Sequence, residues 1–288
     1  MNCLCCSDTM ILIFEGILKF LARIFPYFRY CMQVPNQLSA FIHEGEKWFL
    51  PAVSLDCVIL GFHDNQLKVL LLKLKHSGVW ALPGGFVLKE EDTESAAARV
   101  LKERTGLQDI FLQQFHVFGA PNRSDGSIHR KSLLKSGIEP SPDNWLFQRF
   151  ISIGYYALVD FAHVTPFPDE NSTECVWKDI HEIGSLMMDH NEILNKALET
   201  VRLQLNHQPI GYNLLPQKFT MPELQTLYET ILDKQLDRRN FHRKMTAFGI
   251  LKRLKETRKG GAHRAPFLYS FDMRKYQKAL KQGLNGGW

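Results

Sequence analysis

Pro83-Gly-Gly-Phe-Val-Leu-Lys-Glu-Glu-Asp-Thr-Glu-Ser-Ala-Ala-Ala-Arg-Val-Leu-Lys-Glu-Arg-Thr-Gly-Leu107 is the stretch on which the reading of the whole chain turns. It opens with a tight glycine turn, continues as an acidic loop and then takes up a helical period. Gly106 supplies the residue type that best tolerates the left-handed conformation at a helix C-terminus.

Around it lies enough chain for two domains: 288 residues, 45% of them apolar. The formal charge of +5 is unevenly spread. From Val201 onward there are 17 Lys+Arg against 6 Asp+Glu, net +11, while residues 1–200 hold 18 against 24, net −6. The basic part points to a polyanion partner for the C-terminal unit alone. Six scattered cysteines match neither a disulfide framework nor a zinc spacing, so reduced thiols in a cytoplasmic protein are expected. Met10 to Phe25 is apolar but carries Glu15, Lys19 and Arg23 at every fourth position, a polar stripe unsuited to spanning a bilayer. It reads either as an extension upstream of a start at Met32 or as an interfacial or dimer-packing helix.

Val53–Phe62 and Leu67–Leu74 flank His63-Asp-Asn-Gln66 and predict a buried β-hairpin. Ile110–Gly119 and Phe150–Val159 read as further strands. The polar residues between them, with an insertion over 125–147, are long for a connection inside a compact domain, and an insertion is favoured over a lid. Trp177 and Asp179-Ile-His-Glu-Ile-Gly-Ser-Leu186 are expected to open a helical tail, and Asp189 to begin a long amphipathic helix. Strand pairs, one helix and more strands make an α/β sandwich to about residue 185.

Thr220-Met-Pro-Glu223 has the form of a capping box with proline in the first turn. The helix it starts runs to Leu232, a short turn follows, and a second helix begins at Arg238. On that helix Leu236, Phe241, Met245 and Phe248 share the apolar side, leaving Arg238, Arg239, Asn240, His242, Arg243 and Lys244 outward. Two strands then flank a basic loop holding Lys259 and Arg264. Helix, turn, helix and basic wing form the winged helix-turn-helix pattern, in which the second helix enters the major groove of DNA.

The first stretch resembles the Nudix box, Gx5Ex7REUxEExGU with U apolar. Gly85, Glu91, Arg99, Leu101, Glu103, Gly106 and Leu107 match it, whereas Val100 and Arg104 stand where that family has glutamates. Magnesium needs converging carboxylate oxygens, so no catalytic residue is expected at the degenerate positions, and Glu103 is only a weak metal candidate. Magnesium or manganese would matter only to a hydrolytic form, and no other cofactor is expected. Glu91 and Arg99 are expected to form a salt bridge pinning loop to helix.

Asn213-Leu-Leu-Pro-Gln-Lys-Phe-Thr220, Leu227-Tyr-Glu229 and Arg238-Arg-Asn-Phe241 resemble the tail of NrtR-type Nudix-related transcription factors. That resemblance implies an α+β fold: a Nudix-like α/β/α sandwich over 46–188, a winged helix-turn-helix domain over 189–278, an N-terminal extension over 1–45 and a tail over 279–288. It further implies a non-hydrolytic sensor with Gly84, Gly85, Glu91, Arg99 and Glu103 in the ligand pocket, acting as a homodimer on a double-stranded DNA operator. Members answer to ADP-ribose, and one branch is similar to arabinose-responsive regulators of pentose utilisation. A pocket without metal carboxylates favours the sugar. The rival from the enzyme class is an active Nudix pyrophosphatase with an accessory tail. A third reading is a catalytically dead module binding a protein partner.

Overall fold

The computed structural model describes residues 42–75, 77–105, 112–123, 130, 133–134, 137–168, 172–209, 211–258 and 265–283. The expectations for residues 10–25, for Gly106 and Leu107, for Lys259 and Arg264, and for much of the 125–147 insertion fall outside these.

The hairpin is formed by β1 (Phe49–His63) and β2 (Gln66–Leu74). Its two turn residues, Asp64 and Asn65, both have positive φ (50° and 60°), the conformation that matches the twist of paired strands. β1 organises the sheet. Its first half pairs with β4 (Gly84–Leu88), its end pairs with β2, and from Val53 to Gly61 it runs parallel to β6 (Ile151–Val159). The path is β3 (Trp80–Ala81), β2, β1, β6, then β5 (Leu112–Phe118) at one edge.

Both faces of β1 are covered from Leu55 to Gly61, which is why that run, Asp56 apart, is apolar rather than alternating. Leu55, Cys57 and Ile59 face α1 (Thr93–Thr105) and pack with its Ala96, Ala97, Val100 and Leu101. Val58 and Leu60 lie in the opposite cluster with Ile193, Leu194, Ala197 and Val201 of α2 (His190–His207).

The expected helical tail at Trp177 is corrected. Ser172–Asp179 is a strand, β7, paired antiparallel with β2 from Lys68↔Asp179 to Leu74↔Ser172. Its backbone groups complete the β2 ladder, and the Asp179 carboxylate ends it by accepting from His181 N at 2.8 Å. Helix begins only at His190.

The second unit contains β8 (Phe219–Thr220), α3 (Met221–Leu232), α4 (Arg238–Ala247), β9 (Leu251–Thr257), β10 (Phe267–Phe271) and α5 (Met273–Gln282). The capping box is complete: Glu223 N donates to the Thr220 hydroxyl, and the Glu223 carboxylate accepts from Thr220 N at 2.7 Å. β8, β10 and β9 form a three-stranded sheet behind the two helices. α5 was not visible as an element in the sequence pattern, and its ten residues carry Arg274, Lys275, Lys278 and Lys281 with no acid.

One hydrophobic cluster runs through both units. Tyr156 and Leu158 of the first sheet share it with Leu224, Tyr228, Phe241, Met245 and Tyr276, and the buried stripe of α2 lies between them. α2, which the expected boundary at 188/189 assigns to the winged unit, packs on both sides. Burial pushes the phenols of Tyr156, Tyr228 and Tyr276 upward, so all three stay neutral inside this shared core. Among the described residues no helix is long and apolar enough to cross a membrane.

Candidate functional site

At the box, Glu91 and Arg99 form the expected salt bridge. Arg99 Nε donates to Glu91 Oε1 and Nη2 to Oε2, both at 2.9 Å, while Leu88 N also donates to Oε2 at 3.2 Å. The same Nη2 reaches the Phe86 carbonyl at 2.8 Å. The Glu91 side chain is only 5% exposed, so its oxygens are committed to holding the loop on the helix. Glu103 is exposed, one turn on, 3.5 Å from Arg99 Nη1.

Val100 is 1% exposed and packed in the α1 cluster. A carboxylate at this position would enter a dry core, where ionised groups are strongly disfavoured. The residues present do not suit a divalent metal: one carboxylate is neutralised by an arginine, one expected carboxylate is an apolar core side chain, and Glu103 stands exposed on the helix. Among the described residues no group of three metal-ligating side chains converges. Arg104 lies on α1, and its side chain is outside the described set.

The glycine turn is tight for a different reason at each residue. A Cβ on Gly84 would sit 2.8 Å from both Asp56 Oδ1 and the Leu55 carbonyl, whereas one on Gly85 would meet only the Val100 Cγ2 methyl, also at 2.8 Å. Backbone and a fixed carboxylate yield less than a methyl group. Gly84→Ala should therefore destabilise by about 1–3 kcal/mol and more than Gly85→Ala. Thermal melting of the two variants decides this, and equal losses would show that the Asp56 contact is not rigid.

Beneath that turn lies a buried ionic group absent from the sequence reading. Arg123 donates in bidentate fashion to Asp189, Nε to Oδ2 at 2.8 Å and Nη2 to Oδ1 at 3.0 Å, and Nη1 reaches the Phe150 carbonyl at 3.3 Å. Asp56 Oδ2 lies 3.6 Å from Arg123 and accepts from the Ser152 hydroxyl at 2.5 Å. His190 Nδ1 accepts from Leu82 N at 2.9 Å, so its proton sits on Nε2, 3.6 Å from Asp56 Oδ1. The one available signal was Asp56, a lone acid in an apolar strand. Its partners come from three other elements.

On the winged unit, the Asp237 carboxylate caps α4 by accepting from Asn240 N at 2.9 Å. Phe241 and Met245 face inward, leaving Arg238, Arg239, Asn240, His242 and Arg243 exposed and Lys244 half-buried. Arg243 Nη2 donates to Asn240 Oδ1 at 3.1 Å, which orients two groups of the helix's first turns together. The base of the wing is fixed by Arg258 on the Glu223 carboxylate at 2.7 and 2.8 Å and by Lys218 on Glu256 at 2.8 Å. The exposed first turns of α4 thus carry cations and amide groups at the positions from which a recognition helix reads base edges and phosphates.

Two family models match. The NUDIX domain covers residues 50–200, and the NrtR DNA-binding winged helix domain covers residues 211–271. The ADPR responsive transcriptional repressor NtrR of Acinetobacter baylyi is 27% identical over 246 residues, 83% of this chain and 90% of its own. Shewanella oneidensis NrtR, solved in complex with a 27mer DNA, superposes with a TM-score of 0.62 at 23% identity, covering 78% of this chain and 96% of that one. A MutT/nudix family protein from Enterococcus faecalis gives 0.56 at 24% identity, with 82% and 94% covered. With both signatures present in one chain and in that order, the protein belongs to the Nudix family, in the NrtR-type group that joins a Nudix domain to a winged helix DNA-binding domain.

Proposed function

We propose that the chain is a ligand-responsive transcriptional repressor of the cytoplasm, in which the Nudix unit senses and the winged unit holds duplex DNA. The observation that carries this reading is the pairing of a box whose carboxylates are spent on Arg99 or replaced by buried Val100 with an exposed cationic recognition helix. Arg238, Arg239, Asn240, His242, Arg243 and Lys244, with Lys259 and Arg264 of the wing loop, contact the operator. A homodimer would place two such helices on half-sites about 34 Å apart, or a multiple of that.

ADP-ribose is the first choice of effector, on the strength of the Acinetobacter relative's name, and it would connect the protein to NAD-related metabolism. Gly84, Gly85, Glu91, Arg99 and Glu103 would frame its pocket. A pentose such as L-arabinose is the second choice, favoured by the unsuitability of the box for the metal that would anchor a diphosphate.

The test is a thermal-shift screen with ADP-ribose, AMP and L-arabinose, followed by mobility-shift titration on an operator fragment selected from random duplexes. A ligand that binds the folded form raises its melting temperature by mass action. The effector should then change operator affinity, by fivefold or more for a coupling above about 1 kcal/mol. Equal operator affinity in every ligand state would overturn the reading. Release of AMP from ADP-ribose with manganese at enzymic rates would return the chain to the hydrolases.

A further inference from the structure

The buried ionic group under the glycine turn ties together three segments far apart in sequence. On one side it holds the turn: Leu82 N is bound by His190, and Asp56 Oδ1 is packed against Gly84. On the other it holds the head of α2, since Asp189 immediately precedes that helix and His190 is its first residue. Two further bonds reinforce the join, Met187 N to the Trp80 carbonyl at 2.8 Å and Leu186 N to Asn191 Oδ1 at 2.8 Å. Between them Met188 has φ +49°, a left-handed conformation that costs a side-chain-bearing residue energy and persists only where the surroundings impose it.

The far part of α2 is fastened to the winged unit. Arg202 Nε donates to the Ile231 carbonyl at the end of α3 at 2.9 Å, and its guanidinium lies 3.8 Å from Asp233, the left-handed residue that closes α3. Gln208, just past α2, donates to the Leu280 carbonyl of α5 at 3.1 Å. Twelve residues separate His190 from Arg202, about 18 Å of helix at 1.5 Å per residue. A helix gripped at both ends by directional bonds moves as a rod, so a shift at its head is carried to α3 and to the recognition helix packed on it.

From this geometry we infer that Asp189, Arg123 and His190 are positioning residues that couple the Gly84–Gly85 turn to the winged domain through α2. The inference rests on the sensor reading above and names its device. Occupancy of the turn displaces Leu82 and Gly84 relative to His190 and Asp56, the head of α2 follows, and Arg202 passes the movement to α3.

Asp189→Asn is the informative variant. It keeps the shape of the side chain and leaves Arg123 with Asp56 as a neutral pair, avoiding the stranded buried charge that makes other deletions in the group disruptive. In the full chain the variant should bind ADP-ribose, in a parallel arm L-arabinose, and the selected operator each within about threefold of wild type when measured separately. The ligand's effect on operator affinity should fall at least fivefold. A purely structural staple would lower the melting temperature and leave that coupling factor unchanged, and this result overturns the inference. Hydrogen exchange on the wild-type chain needs no variant. On ligand binding, protection should change at Leu82, over 186–193 and in α3 near Ile231, and changes confined to 84–103 would reject the relay. A wild-type chain with no ligand effect on operator affinity removes the sensor reading itself, whereas full coupling retained in Asp189→Asn removes only the relay.

Discussion

Operator affinity of the Arg238→Ala/Arg239→Ala/Arg243→Ala variant is expected to fall roughly a hundredfold or more, at about 1–3 kcal/mol for each arginine that reads a base edge. The slope of log K against log salt should flatten by about 0.9 for each of the three that instead neutralises a phosphate. All three side chains are exposed on α4 and away from its buried Phe241 and Met245, so the fold should melt near the wild-type temperature. Effector binding, proposed for the Nudix unit, should be preserved. Arg239→Ala alone should show the same signature in miniature. A triple variant with normal operator binding and normal salt dependence would mean that α4 does not face the duplex.

The second large effect is on stability. Phe241 is 1% exposed and meets Tyr228 edge to face with ring centroids 5.4 Å apart. Truncation to alanine removes the ring and leaves a cavity, at about 3–5 kcal/mol for Phe→Ala in a packed core. Because Phe241 belongs to the cluster that also contains Tyr156, Val58 and the α2 stripe, the loss should lower one shared unfolding transition. Denaturant unfolding followed by fluorescence checks this. An early, separate transition of the winged unit, with the Nudix unit unfolding at its wild-type midpoint, would show that the two cores are energetically independent.

The same contiguity limits where the chain can absorb change. The box helix packs on the opposite face of the sheet, in a cluster that among the described residues shares none with the winged unit. Substitutions there, such as Gly85→Ala against Val100, should act locally. Substitutions under the turn, at Asp56, Arg123 or Asp189, act across the molecule.

Much of this architecture was legible in the sequence, and for identifiable reasons. The hairpin was readable because Asp64-Asn65 sits between apolar runs and tolerates positive φ. The capping box at Thr220 was readable because both its partners lie within three residues. The inward side of α4 was readable because Phe241 and Met245 are one helical turn apart. The failures share a different character. β7 does not stand out in the sequence because its own apolar pattern is weak and its pairing partner, β2, lies about a hundred residues earlier. α5 was missed because a ten-residue helix rich in lysine carries little apolar signal before Tyr276 finds its place against Phe271 and Tyr212.

Local signals determined the hairpin, the capping box and the cationic second helix of the winged unit, since periodicity, caps and turn residues act over one or two turns of chain; the resemblance to the Nudix box and the NrtR-type tail added the two units, their order and the degenerate box. What only the tertiary structure decided is the group that joins them. Arg123 meets Asp189 across 66 residues and Leu82 meets His190 across 108. No local preference encodes such pairs; they form because the sheet and α2, once packed, bring those side chains into a region too dry to leave any of them alone.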